Sequence, residues 1–273
     1  MTPTDPVPAS VSPHVVERQI ELPGAGAVFV RECLPGEATG GVPILMLHDS
    51  LGSVALWRDF PDRLSAATGR RVVAYDRPGF GRSAPRHAPP SLDFIAAEAR
   101  DVIEPLCAAL GVDRFVVFGH SVGGGMAVHC AARHRDRCVG LITVAAQAFV
   151  EERTRAGLRE ARALFADPVQ LERLARYHGD KARWVLDAWI ETWLDPAFAH
   201  WSLDAVLPQV CCPLLAIHGA DDEYGSPAHP ERIARLSGGP AQIAVMADTR
   251  HVPHREHPDA VLAAVADFCA ALG

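Results

Sequence analysis

The sequence predicts an α/β fold: a doubly wound, mostly parallel sheet interrupted by one helical insertion. Three observations lead there. Short apolar runs alternate with helical patterns in both the first and the last part of the chain. A stretch over residues 149–208 carries helical patterns but no strand signal. The chain has 273 residues, 49% of them apolar and 22% charged, which suits a single domain with an ordinary core.

The elements follow in order. Residues 1–13 are rich in Pro, Ser and Thr and read as a disordered tail; they lack the basic and apolar regions of a secretory signal. Residues 15–22 and 27–33 are strand-like and flank Pro23-Gly24-Ala25-Gly26, a hairpin pattern. Residues 42–47, Val-Pro-Ile-Leu-Met-Leu, form a nearly continuous apolar run, as expected of a strand buried on both faces. A helical period over 56–67 precedes a β-branched strand at 71–75. A long helix over 92–110 contains Pro105, which predicts a kink. A second buried strand at 114–118 leads into a small-residue helix over 121–133, and a strand at 138–145 closes this half. After the insertion the alternation resumes: strand 213–218, helix 230–236, strand 242–246 and helix 258–272. Sheet signals on both sides make 149–208 a helical cap inserted into one core, built from 14–148 and 209–273.

Composition excludes several function classes. A net charge of −7 gives no general electrostatic footprint for nucleic acid. No apolar run reaches the roughly 18 to 20 residues that span a bilayer. Seven cysteines, an odd number with Cys211 and Cys212 adjacent, read as reduced thiols of a cytoplasmic protein. No Gly-x-x-x-x-Gly-Lys segment is present, and Gly24-Ala25-Gly26 lacks the rest of a dinucleotide fingerprint. His251, His254 and His257 are spaced every third residue, but helical metal pairs want four, and Pro253 and Pro258 oppose a continuous helix. No cofactor and no metal are therefore expected. The expected partner is a small-molecule substrate, and the expected assembly a monomer or homodimer.

The chemistry centres on Gly119-His120-Ser121-Val122-Gly123. A G-x-S-x-G match is weak alone, since an incidental serine in a Gly-rich turn would also give it. Its position strengthens it, because it follows a buried strand and opens a helix, where a nucleophile elbow must sit. A serine hydroxyl needs a histidine base and an acid that orients it. Downstream, His218-Gly219-Ala220-Asp221-Asp222 and Thr249-Arg250-His251 each follow a strand. All three loops therefore lie at the C-terminal edge of the sheet, where sites in open α/β sheets form.

These motifs together resemble the α/β-hydrolase superfamily over essentially the whole chain after the tail. Leu47-His48-Asp49-Ser50-Leu51-Gly52-Ser53 resembles the oxyanion loop, and Asp76-Arg77-Pro78-Gly79-Phe80-Gly81-Arg82-Ser83 the D-x-x-G-x-G-x-S loop. The acid and histidine loops are matched by Gly219-x-x-Asp222 and His251-x-Pro253-x-x-Glu256-x-Pro258. The resemblance implies Ser121 as nucleophile, Asp222 rather than Asp221 as acid, and His251 rather than His254 as base. It implies oxyanion donors at Ser50, with Leu51 as runner-up, and at Val122. His48 and His218 suit hydrogen bonding at strand ends better than a base's role. His48, Asp49, Leu51, His120, Trp184, Trp189 and Trp193 are the expected substrate-binding residues, although the tryptophans would equally serve to pack the cap. Asp49 and Arg250 put charges where the family usually has glycine. The implied reaction is hydrolysis of an ester, thioester or lactone of a small to medium apolar substrate. Carbon–carbon bond hydrolases, perhydrolases and cofactor-free lyases use the same triad. A low-turnover receptor on this fold is the alternative from another class.

Overall fold

In the computed structural model the described residues are 14–36 and 41–272; the expected tail over 1–13 lies outside them. Eight strands form one sheet in the order β1-β2-β4-β3-β5-β6-β7-β8. The antiparallel hairpin β1 (His14–Leu22) and β2 (Gly26–Leu34) pairs at one edge with β4 (Val72–Tyr75). From there β3 (Ile44–Leu47), β5 (Phe115–His120), β6 (Cys138–Val144), β7 (Leu214–Gly219) and β8 (Ala241–Met246) run parallel. The strand at 42–47 shows why such runs are continuously apolar. Ile44 and Met46 enter the core on one face of the sheet, while Leu45 and Leu47 enter the core on the other.

Helices cover both faces. α1 (Phe60–Thr68) and α9 (Pro258–Ala270) bury Leu64, Val261, Val265 and Phe268 in one core. α2 (Phe94–Glu98), α3 (Glu104–Leu110), α4 (Val122–Arg133) and α8 (Ala228–Leu236) pack on the other. Two helical expectations are refined. The period over 56–67 resolves into a 3₁₀ turn (Val54–Trp57) and α1, parted at Arg58, whose φ is 56°. Pro61 explains the restart, because proline is favoured in a first helical turn. The helix over 92–110 contains a π turn (Ala99–Ile103) directly before α3. Pro105 has no N–H to donate, and the wider turn absorbs that change of register.

Between β6 and β7 the chain runs through α5 (Glu152–Leu164), α6 (Pro168–His178) and α7 (Ala182–Leu194). Apart from an isolated bridge between Phe149 and Ser202, this stretch carries no strand among the described residues. It is tied down over the loops that follow β3 and β4. His178 accepts from the Gly81 N–H at 2.9 Å and donates to the Leu51 carbonyl at 3.0 Å, while Lys181 Nζ donates to the carbonyls of Gly81 and Ser83. Among the described residues no helix is long and apolar enough to cross a membrane.

The sharpest packing constraint lies where β5 turns into α4. A Cβ on Gly123 would stand 2.3 Å from the Leu47 carbonyl oxygen, and one on Gly119 would stand 2.1 Å from that of Gly123. The helix start therefore packs against the ends of β3 and β5 backbone to backbone. An alanine in a helix interior ordinarily stabilises relative to glycine. Here Gly123→Ala is expected to do the opposite, lowering the free energy of unfolding by about 2 kcal/mol through overpacking, as read by urea denaturation.

Candidate active site

Ser121 sits at the turn between β5 and α4 with φ 55° and ψ −125°, a region costing a non-glycine residue about 1–3 kcal/mol. The surrounding backbone holds it there: the Ser121 N–H donates to the Val144 carbonyl at 2.9 Å, and its carbonyl accepts from Gly124 at 2.8 Å. The turn thrusts the hydroxyl out beyond the sheet edge. His251, on the loop after β8, meets it with Nε2 3.0 Å from Ser121 Oγ. The other ring nitrogen, Nδ1, lies 2.8–2.9 Å from both carboxylate oxygens of Asp222. Asp222 is fully buried and also accepts from the N–H groups of Tyr224 (2.7 Å) and Gly225 (3.2 Å). Sequence reasoning chose between Asp221 and Asp222 and between His251 and His254, and the geometry brings together Asp222 and His251. His254 instead packs against Trp57, Phe60 and His120.

Electrostatics orders this chain of bonds. Burial pulls the His251 imidazole down, but the hydrogen bond and charge of Asp222, helped by Asp49 and Glu223, outweigh it and set the imidazole above its ordinary value of 6.5. Burial likewise pushes the Asp222 carboxyl up, and His251 and the Tyr224 N–H reverse that to leave it below its ordinary value. Asp222 is thus the ionised partner that fixes Nδ1–H, leaving Nε2 to face Ser121. The serine proton has a second acceptor, Gln147 Oε1, but at 3.5 Å that contact is marginal beside the one to His251.

The loop after β3 is braced from behind. The Asp49 carbonyl accepts from Arg77 Nη2 (2.8 Å), from the Gly52 N–H (3.2 Å) and from His48 Nδ1 (2.9 Å). The His48 tautomer follows from its other nitrogen, Nε2, which accepts the Arg77 N–H at 3.0 Å. Burial and then the Arg77 charge keep this ring well below its ordinary pKa, so it stays neutral. Carbonyl and N–H point in opposite directions across a trans peptide. Three donors on the Asp49 carbonyl therefore orient the Ser50 N–H away from them. The Val122 N–H, in the first turn of α4, has no acceptor within its own helix.

Two adjoining cavities open over these groups. One, of about 180 Å³, is lined by Ser121, His251, Gln147, Asp49, Tyr224 and Glu223, among others. The second, of about 400 Å³, extends past Ser50 and Val122 beneath the 86–91 loop. Ser50, Trp189 and Trp193 line both, Leu51 only the first, and Trp184 only the second. Trp184 also packs on Phe80 and donates to the Ala88 carbonyl.

Two of the expected substrate-binding residues fall elsewhere. His48 and His120 line neither cavity over Ser121; both are buried and committed to the backbone. His120 lies with Nε2 2.8 Å from the His251 carbonyl, and burial brings its pKa down to about 4, so it tethers the histidine loop as a neutral donor. The motifs put them close to Ser50 and Ser121 in sequence, but His120 ends β5 and turns toward the His251 loop, while His48 turns back to the Asp49 carbonyl and the Arg77 N–H. Arg250 is exposed and lines neither cavity. Gln147, Tyr224, Arg77 and His178 were not foreseen. Gln147 carried a signal, a lone polar residue in Val144-Ala145-Ala146-Gln147-Ala148-Phe149 at a strand end. His178 carried none, since it reads as a helix terminus before Gly179.

The fold and this geometry define an α/β hydrolase. The chain belongs to that family: the family model, described as the alpha/beta hydrolase fold, matches residues 42–189. The chain is similar to 1-acylglycerol-3-phosphate O-acyltransferase ABHD5 of Sus scrofa, at 32% identity over 111 residues, which is 40% of this chain and 31% of that protein. It is also similar to serine hydrolase BPHL of Mus musculus, at 27% identity over 236 residues, covering 82% of this chain and 78% of that protein. Among solved structures it resembles a membrane phospholipase A described as a bacterial virulence factor, with a TM-score of 0.73, 20% identity and coverage of 94% and 86%. That likeness is one of fold. The chain spans about a third of the length of the first of these relatives.

The His251 environment gives a signed expectation. In a pH titration followed by imidazole NMR, His251 should titrate above 6.5 in the native protein. In Asp222→Asn it should titrate below 6.5, because burial is no longer outweighed. The raised native value also means that this interaction stabilises the fold fully below about pH 6.5, and that the contribution is lost as pH rises through the native value.

Proposed function

We propose that this chain is a serine hydrolase that cleaves a carboxylic ester, thioester or lactone of a small molecule through an acyl-enzyme. The observation that carries the proposal is the hydrogen-bonded series Ser121, His251, Asp222, with the serine hydroxyl opening into a cavity. In the first step His251 Nε2 takes the Ser121 proton as Oγ attacks the carbonyl carbon. The imidazolium so formed is stabilised by the ionised Asp222, which needs no proton itself. The carbonyl oxygen becomes an oxyanion held by the N–H groups of Ser50 and Val122, each such donor worth about 3–4 kcal/mol in the transition state. His251 then returns the proton to the departing alcohol, thiol or ring oxygen, leaving the acyl group on Ser121. Water, activated by the same imidazole, adds to the acyl carbon, and collapse of that second intermediate frees the acid and restores Ser121.

Preorganisation supports this reading. The Asp49–Ser50 peptide is held by three donors before any substrate arrives, so it need not reorient when charge develops. Cavities of about 180 and 400 Å³ suit a small molecule rather than a polymer. We place this activity in the cytoplasm, in keeping with the reduced cysteines.

Ser121→Ala is expected to lower kcat for a p-nitrophenyl ester by about 10⁵- to 10⁶-fold and to abolish labelling by a fluorophosphonate probe. Retention of more than a few per cent of activity would rule this mechanism out. Asp222→Asn should cost roughly 10⁴ in kcat. In the native enzyme kcat/KM should rise with pH through an acid limb whose midpoint lies above 6.5, since only neutral His251 can act as base.

A further inference from the structure

The larger cavity is lined by a group of which the proposed reaction uses only one donor. Arg77 is 4% exposed, and its guanidinium lies 4.0 Å over the Phe80 ring. Nη2 is spent on the Asp49 carbonyl, whereas Nε is shut away from solvent with no acceptor. Among the described residues no carboxylate forms an ion pair with it. Glu98 shares the cavity wall and feels the Arg77 charge from farther off, but its Oε1 is taken by the Tyr75 hydroxyl at 2.7 Å. A buried cation with an unused donor is costly unless something supplies the missing partner.

Charge is divided across the site. Around Ser121 the cavity is lined by Asp49 and Glu223 and by no arginine or lysine among the described residues. The larger cavity adds Arg86 and Arg100 at its exposed rim, against Asp101. The two halves also differ in the part of a substrate they take. A leaving group must lie beside His251 Nε2 to receive its proton, which places it in the acidic cavity with Tyr224 and Glu223. The acyl chain then extends the other way, past Ser50 and Val122 toward Arg77.

We infer that the larger cavity is an acyl-binding site for a chain ending in a carboxylate, recognised by Arg77, so that the favoured substrates are half-esters of dicarboxylic acids. This rests on the serine-hydrolase reading and narrows it. The carboxylate pairs with the edge of the guanidinium that lines the cavity, in a largely buried setting, where charge-assisted pairs are strongest. The aromatic faces of Phe80, Trp184 and Trp189 enclose the methylene chain. Asp49 and Glu223 repel the same anion from the leaving-group side, so orientation is set by attraction at one end and repulsion at the other.

The test uses the full chain and matched pairs: mono-p-nitrophenyl adipate, pimelate and suberate, each against its methyl-capped diester. At one chain length or more, the free carboxylate should raise kcat/KM about ten- to a hundredfold over its capped partner. Arg77→Gln, folded by circular dichroism, should bring that ratio to one or below, whatever happens to the absolute rates, and Arg77→Lys should restore part of it. Capped esters cleaved as fast as or faster than the free acids at every length would overturn the inference, as would a preference that survives Arg77→Gln. Should Arg77→Gln not fold, inhibition of the native enzyme decides: adipate acting at least about tenfold below dimethyl adipate supports the site, and equal potency overturns it. Failure of the serine-hydrolase reading looks different, because then neither ester of any pair turns over and the fluorophosphonate does not label Ser121.

Discussion

The start of α4 lies in backbone contact with the ends of β3 and β5, and the rest of the site depends on that closeness. Side chains are excluded at Gly119 and Gly123 because the space their Cβ atoms need is already filled by carbonyl groups. The helix can then begin within one residue of the strand, and Ser121 is forced into the strained conformation that projects its hydroxyl over the sheet edge. Strain of this kind persists only where the surroundings over-determine it. Here they do, through the bond to Val144 from one side and the Gly123 contact with Leu47 from the other.

From that fixed point the remaining groups are located by other strand ends. β7 delivers Asp222, β8 delivers His251 and β3 delivers the Asp49–Ser50 peptide, and each loop carries its own bracing. Asp222 is set by the N–H groups of Tyr224 and Gly225, and the His251 loop by His120. The Asp49 carbonyl is set by Arg77, His48 and Gly52. Histidines recur in these braces because a neutral imidazole donates at one nitrogen and accepts at the other, so one side chain can tie two backbones together. His48 does so between the loops after β3 and β4, and His178 joins α6 to both of them. Burial keeps His48, His120 and His178 below their ordinary pKa. His251 is the exception, raised by Asp222. The one histidine that has to gain a proton in the proposed reaction is the one whose surroundings favour it.

The helices between β6 and β7 decide what can reach Ser121. They contribute Trp189 and Trp193 to both cavities and Trp184 to the larger one, and they close over the loops rather than over the sheet. Asp49, which stands where the family usually has glycine, lines the inner cavity and gives it an acidic wall together with Glu223. The outer cavity has the opposite character at its buried end, where Arg77 lies. The site is therefore polarised along its length, and that property belongs to the cavities, not to any one motif.

The division between sequence and structure follows from the range of the forces involved. The sequence by itself determined the strand and helix alternation, the elbow at Ser121 and the loops bearing Asp222 and His251. Those are local matters: periodicity, turn chemistry and the order of motifs along the chain. It also marked Asp49 as unusual. Only the tertiary structure decided that His48 and His120 serve the backbone, that Gln147 faces Ser121 and that His178 anchors α6. Nor could any pattern reveal that Arg77, in a loop of familiar spacing, is buried with an unpartnered Nε. Which way a side chain points, and whether its hydrogen bonds are already satisfied, depends on groups dozens of residues away. Such contacts exist only once the sheet has brought its strand ends together.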